Sequence, residues 1–271
     1  MKRVLWIFCI AALIATVAGD VMAQAKLLLG TTTSTEDSGL LNVLLPPYEK
    51  ANNVKVEVIS KGSGYALSLG ENGELDVVLV HDRSAEHKFM ADGFGVDRRD
   101  VMHNDFVVIG PKEDPAKVKE AKSAADAFKR IAEAKAKFIS REDISGTDEK
   151  EKELWTAAGT KPRGKWYMVG QGMGQAILTA NHKRAYTLAD RATYLAYMRK
   201  IDLPILFEGD KILFNPYAVI AVNPEKHRGV QYALAKKFIH YITGPEGQKI
   251  IGDFKVDGKQ LFIPDAVKEQ K

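Results

Sequence analysis

Thr31-Thr32-Thr33-Ser34-Thr35-Glu36-Asp37-Ser38-Gly39 is the stretch whose reading decides the fold. Before it runs Lys26-Leu27-Leu28-Leu29-Gly30, an apolar segment short enough for a buried strand. After it, Leu40-Leu41-Asn42-Val43-Leu44-Leu45 crowds its leucines on one helical face. Thr33 followed three residues on by Glu36 has the spacing of a capping box, so the hydroxyls gather where a strand gives way to a helix. The first N–H groups of a helix lack internal partners, and the dipole there favours negative charge. Such a turn suits a small oxyanion. Five hydroxyls in a row also serve simply to cap a helix, and the rest of the chain has to decide between the two readings.

Outward from this stretch the chain alternates strand and helix. Val54-Lys55-Val56-Glu57-Val58-Ile59 alternates apolar and polar residues and reads as a strand. It runs into Ser60-Lys61-Gly62-Ser63-Gly64 and a segment of helical composition. Asp76-Val77-Val78-Leu79-Val80 is a short buried strand, and Phe106-Val107-Val108-Ile109-Gly110 another, where the chain crosses into a second lobe. This order predicts a parallel sheet with helices on both faces. The pattern then restarts: an amphipathic helix over 123–135, a strand at 137–140, the loop Arg141-Glu142-Asp143-Ile144-Ser145-Gly146-Thr147, and a helix opening at Asp148. Strands follow at 166–169, 186–188, 203–207 and 216–222. Helices follow through His182, over 190–198, over 227–243 and from Pro245 onward.

Three strand-to-helix turns share one chemistry: the threonine run, Gly62-Ser63-Gly64, and Arg141 through Thr147. Each sets a hydroxyl beside glycine or at a helix start, where backbone can approach a ligand closely. In open α/β sheets ligands sit outside the carboxyl ends of the strands, where such turns collect. Three on one chain, one with an arginine, point to an anion clamp.

On these residues the chain resembles the tungstate-binding receptors of ABC transporters, which are class II periplasmic solute-binding proteins. The likeness is carried by Thr31-Thr32-Thr33-Ser34, Gly62-Ser63-Gly64, Asp76-Val77-Val78-Leu79-Val80-His81-Asp82, Ile139-Ser140-Arg141-Glu142-Asp143 with Ser145-Gly146-Thr147, and Ala185-Tyr186-Thr187-Leu188-Ala189-Asp190-Arg191. Where the family usually has Ser-Arg-Gly-Asp, Glu142 replaces the glycine. The resemblance implies two α/β lobes, each a mixed, mainly parallel sheet flanked by helices, joined by two hinge strands and closing on ligand. Lobe I would take 26–105 and 223–271, lobe II 106–222. Oxyanion contacts would come from Thr32, Thr33, Ser63, Arg141 and Thr147, with Gly172 and its neighbours as an addition. The implied function is capture of tungstate, or also molybdate, and delivery to a membrane permease with its cytoplasmic ATPase subunits. The receptor would be a monomer with no enzymatic activity, no cofactor, and no metal beyond the one inside the oxyanion.

Tungstate, molybdate and sulfate are proton-free dianions at neutral pH and need only donors, whereas phosphate keeps a proton that a carboxylate normally accepts. Glu36 and Asp37 read as capping and first-turn acids. Glu142 and Asp143 are placed to orient the arginine. The alternatives are another tetrahedral oxyanion (molybdate, sulfate or phosphate) and an exported enzyme acting on phosphate or sulfate esters. No Gly-x-Ser-x-Gly surrounds Ser63, and there is no Walker loop. Gly170-Gln171-Gly172-Met173-Gly174 lacks the dinucleotide spacing. His81, Asp82 and His87 fit no standard metal spacing.

The chain opens with Lys2-Arg3 and an uncharged run, Val4 to Ala18, shorter than the roughly 20 residues that span a membrane. Small residues follow, with cleavage points at Val21-Met22-Ala23 and Ala23-Gln24-Ala25. Residues 1–25 therefore read as a secretory signal peptide, and the mature protein as periplasmic. The single cysteine, Cys9, lies inside this leader, which leaves no disulfide and no lipid anchor. A net charge of +4, spread along 271 residues, gives no nucleic-acid footprint.

Overall fold

The computed structural model describes residues 24–266; of the leader read at 1–25, residues 1–23 lie outside them. The first half runs β1 (Ala25–Thr32), α1 (Thr33–Asp37), α2 (Leu41–Asn52), β2 (Val54–Lys61), α3 (Ser63–Glu71), β3 (Val77–Val80), α4 (Arg83–Ala91) and β4 (Gly95–Ile109). The second runs α5 (Ala124–Glu133), β5 (Phe138–Ser140), α6 (Gly146–Ala157), β6 (Tyr167–Val169), α7 (Met173–Lys183), β7 (Tyr186–Asp190), α8 (Arg191–Tyr197) and β8 (Ile205–Phe207). Then come β9 (Phe214–Val222), α9 (Tyr232–Thr243) and α10 (Pro245–Asp253). Among the described residues no helix is long and apolar enough to cross a membrane.

The strand order is β2-β1-β3-β9-β4-β7-β5-β6, giving a mixed sheet flanked by helices in two parts. β1 pairs in parallel with β2 and β3, and β5 with β6 and β7, so each part has its loops at one carboxyl edge. Leu27 and Leu29 of β1 and all of β3 are buried, because helices cover both faces. In the second part Phe128, Phe138 and Trp155 form an edge-to-face cluster, with centroids 4.5–5.5 Å apart.

Two strands run between the parts. β4 pairs with β9 from Gly95 to Asp105 and with β7 from Phe106 to Ile109. β9 also pairs with β3 over Val77–Val80, so this strand, grouped from sequence with 106–222, joins the sheet of the first half. The two strands are tied at one point by the fully buried Asp190. Its Oδ2 accepts from Asn104 Nδ2 (2.9 Å), Asn215 Nδ2 (2.9 Å) and the Tyr217 hydroxyl (2.6 Å). Its Oδ1 accepts from the Thr193 amide at 2.9 Å. Replacing Asp190 with alanine would take the side-chain acceptor from Asn104 Nδ2, the Tyr217 hydroxyl and the Thr193 amide, while Asn215 Nδ2 would keep Asn104 Oδ1 at 2.7 Å. The expected loss is about 3 kcal/mol or more of unfolding free energy, read by urea denaturation.

Candidate functional site

At the first loop the helix cap is one residue earlier than the sequence spacing suggests. Thr32 is the N-cap of α1: its Oγ1 accepts from the Thr35 amide (3.2 Å) and lies 3.0 Å from Thr35 Oγ1. The pairing of β1 with β2 runs on to Thr32, which holds that residue extended and makes it the cap. The hydroxyl of Thr32 is thus taken by its own helix, and Thr33 is freed. Thr33 Oγ1 accepts from Arg141 Nη2 (3.3 Å) and from the Met173 amide (3.1 Å), which joins the first, third and fourth loops.

Arg141 is 1% exposed. Its Nε and Nη2 donate to Asp143 Oδ2 at 2.9 and 2.6 Å, and its Nη1 donates to Met173 Sδ at 3.3 Å. The expected role of the acids beside it falls to Asp143 alone, since Glu142 is exposed. Glu142 and Ile144 both have positive φ, 41° and 53°. This left-handed turn is what a glycine would adopt without strain. Its shape throws Asp143 back onto the guanidinium and presents the Ile144 carbonyl to the second loop.

The second loop packs against that turn. The Gly64 amide donates to Ile144 O at 3.0 Å. A Cβ on Gly62 would sit 2.7 Å from Asp143 O, and one on Gly64 would sit 2.6 Å from Ile144 Cγ2, so both positions must be bare. Ser63, between them, is fully buried at the start of α3. At the fourth loop three successive amides that open α7 find side-chain acceptors. Gly172 donates to Asp143 Oδ2 (3.0 Å), Met173 to Thr33, and Gly174 to Asp37 Oδ2 (2.9 Å). Asp37, read from sequence as a local first-turn acid, reaches out of its own helix, and burial pushes its carboxyl above the ordinary range. Thr147, in the first turn of α6, is fully buried and donates to Met173 Sδ at 3.8 Å.

Of the five residues singled out from sequence, Thr33 and Arg141 touch directly, and Thr147 meets Arg141 through the sulfur of Met173. Ser63 is brought in by the contact of its neighbours with the arginine loop, and Thr32 is engaged in capping. Buried Ser34 Oγ, Ser63 Oγ and Asp143 Oδ1 have no hydrogen-bond partner. Two of these are hydroxyls, and buried polar groups of this kind are completed by a water, an ion or a ligand. A cleft of ≈ 480 Å³ lined by residues that include Thr33, Ser60, Gly62, Tyr65, Asp143 and Gly172 opens onto this cluster. Asp37 and Met173 carried no motif of their own. The only signal for them was their place beside the threonine run and the glycine-rich fourth loop.

His81 has a structural role. Its Nδ1 lies 2.8 Å from Asn215 Oδ1, its ring stacks on Tyr217, and burial lowers its pKa. Among the described residues no cluster of His, Cys, Asp and Glu is arranged to hold a metal ion. Behind Arg141, the buried Glu151 accepts from the Arg141 amide (3.2 Å), Trp155 Nε1 (3.0 Å) and the Tyr167 hydroxyl (2.8 Å). Burial pushes its carboxyl up to about 7.

A family model described as the PBP superfamily domain matches residues 15–246. The chain is 45% identical over 251 residues to tungstate-binding protein TupA of Peptoclostridium acidaminophilum, spanning 91% of this chain and 88% of that one. Among solved structures, the tungstate ABC transporter from Geobacter sulfurreducens is 60% identical with a TM-score of 0.77, covering 84% of this chain and 98% of that chain. The tungstate-binding protein TupA of Desulfovibrio alaskensis is 44% identical with a TM-score of 0.72, covering 89% and 99%.

Two expectations follow from the arginine loop. Glu142→Gly removes a left-handed strain of about 1–2 kcal/mol and adds roughly 0.5–1 kcal/mol of unfolded-chain entropy. Thermal melts should show a small net stabilisation. Glu151 binds its proton more tightly folded than unfolded between its ordinary value of 4.5 and about 7, so this group makes stability fall as pH rises through that window. Glu86, also raised to about 7 by burial, acts the same way. Melts of Glu151→Gln across pH 4.5 to 8 should decline less steeply than wild type, with Glu86 among the groups that keep a slope.

Proposed function

The chain belongs to the PBP superfamily, among its tungstate-binding receptors, and from that premise we propose that it captures tungstate and delivers it to an ABC-transporter permease. The observation that carries this reading is the buried Arg141, held by side chains of three loops (Thr33, Asp143 and Met173), with unpaired hydroxyls in the surrounding turns. Arg141, Thr33, Ser63 and Thr147 supply the donors, and the cap residue Thr32 contributes through its backbone position. Hydrogen bonds to a charged partner contribute roughly 1.5–3 kcal/mol each, so about six give on the order of 12 kcal/mol, the nanomolar range. The leader and the family together support a periplasmic receptor, with the permease and its ATPase as partners. The lobes divide near 105, and β4 and β9 act as the hinge strands.

An esterase reading has no chemical support. Ser63 Oγ has no partner to act as a base, and His81 is turned to Asn215. A second oxyanion reading has one observation in its favour. Asp143 Oδ1 is buried without a partner beside Arg141, and such an oxygen could accept the proton of hydrogenphosphate. Calorimetric titration of the mature protein with tungstate, molybdate, sulfate and phosphate separates these readings: tungstate should bind in the nanomolar range and phosphate far more weakly. Arg141→Ala should weaken tungstate binding tenfold or more. Arg141→Lys, which keeps the charge but not the planar fork, should fall between. An unchanged dissociation constant in both variants would remove Arg141 from the site.

A further inference from the structure

Met173 is the first residue of α7 and is fully buried. Its sulfur receives three donors: Arg141 Nη1 at 3.3 Å, the Asp190 amide at 3.5 Å and Thr147 Oγ1 at 3.8 Å. A thioether is a weak acceptor. A methionine that merely fills a core meets carbon, and this one also packs in the large apolar cluster with Ala176 and Ile177. Its sulfur end, however, faces the guanidinium and a hydroxyl, both assigned above to the oxyanion. The Nη2 and Nε of Arg141 are already held by Asp143 and Thr33, so Nη1 is the arm left for a ligand.

We propose that Met173 is a displaceable acceptor: its sulfur stands where an oxygen of the bound anion belongs, keeps Arg141 and Thr147 aimed, and yields when the anion arrives. This rests on the oxyanion reading above and adds a residue that tunes affinity and selectivity. A placeholder has to satisfy two demands that oppose each other. It must accept enough from buried donors to hold them in one rotamer. It must also let go readily, so that binding is not weakened by the bonds it breaks. An amide or carboxylate oxygen meets the first demand and fails the second, and a leucine does the reverse. Thioether sulfur lies between, on a side chain with three rotatable bonds that can withdraw toward the apolar cluster. It also carries no charge to repel the incoming dianion.

The test uses calorimetry of the mature protein with sodium tungstate on wild type, Met173→Leu and Met173→Gln, with thermal melts of each. Met173→Gln should weaken tungstate binding at least tenfold without lowering the melting temperature, because its amide oxygen holds Arg141 and Thr147 in place. Met173→Leu should melt lower, having removed the sulfur acceptor from all three donors, and should bind tungstate as tightly as wild type or a few-fold tighter. Leucine and glutamine variants that lose affinity equally, or that both match wild type, overturn the proposal while leaving the oxyanion reading intact. Wild type that binds none of the four oxyanions overturns both. A second measurement needs no variant: with methyl-¹³C methionine, the Met173 resonance should move on tungstate addition to a position typical of an apolar surround. An unmoved Met173 methyl resonance at saturating tungstate rejects displacement.

Discussion

A guanidinium that is 1% exposed is the constraint on which the rest of the site depends. Desolvating a charge of this kind is costly unless it is paired and hydrogen-bonded, and here the pairing fixes the loops. Asp143 takes two arms of Arg141, and the same carboxylate oxygen also accepts the Gly172 amide. Thr33 accepts from Arg141 and from the next amide of α7. The glycines at 62 and 64 let the second loop close onto the backbone of the turn that carries Asp143. Each loop is therefore placed by what the arginine requires. The hydroxyls are brought close as a consequence.

The same cluster reaches the strands that link the two parts of the sheet. The Asp190 amide faces Met173 Sδ, while its side chain holds Asn104 on β4 and Asn215 and Tyr217 on β9. One residue thus touches both the sulfur beside Arg141 and the point where the crossing strands meet. A change in the position of Met173 is felt one residue away from that crossing. That contiguity is a physical route by which occupancy of the site can bias the relative setting of the two halves, provided the halves have two packed arrangements to choose between.

Much of this was legible in the chain because the decisive segments are short and extreme. A fully apolar β3 and a leucine-rich β1 have few alternatives, and hydroxyl and glycine clusters mark the turns that follow strands. What escaped reading has identifiable physical causes. The amino-terminal half of β4 carries Asp97-Arg98-Arg99-Asp100, which looks like a loop. In the fold these charges pair along an irregular ladder, with Arg98 held by Glu86 and Asp100. The capping spacing of Thr33 and Glu36 was genuine as a pattern, yet the strand's pairing chose Thr32 instead. Glu142 stands where the family usually has glycine, and the backbone keeps the glycine conformation. Tertiary packing, not local preference, sets that turn. Asp37 and Met173 could not be read, because their partners lie more than a hundred residues away or in another loop.

On the proposed oxyanion reading, the charges nearest Arg141 bear on how the site would attract an anion. Arg141 brings one positive charge, while Asp143 and Asp37 bring carboxylates onto the first turn of α7. Net charge therefore does not draw a dianion in; the immediate surroundings would repel it. What remains, on the proposed reading, is a set of aimed dipoles: the hydroxyls of Ser63 and Thr147, the Nη1 arm of Arg141 that now meets Met173, and the amino-terminal turns of α3 and α6. Fixed dipoles in a dry site are strong because they need no reorganisation when the charge arrives, and they are weak toward any anion whose oxygens sit elsewhere. Shape rather than charge would, on the proposed reading, govern the choice of ligand. On this reading, a site that stations two carboxylates near Arg141 gives up indiscriminate attraction for recognition that a correctly sized tetrahedron of oxygens satisfies.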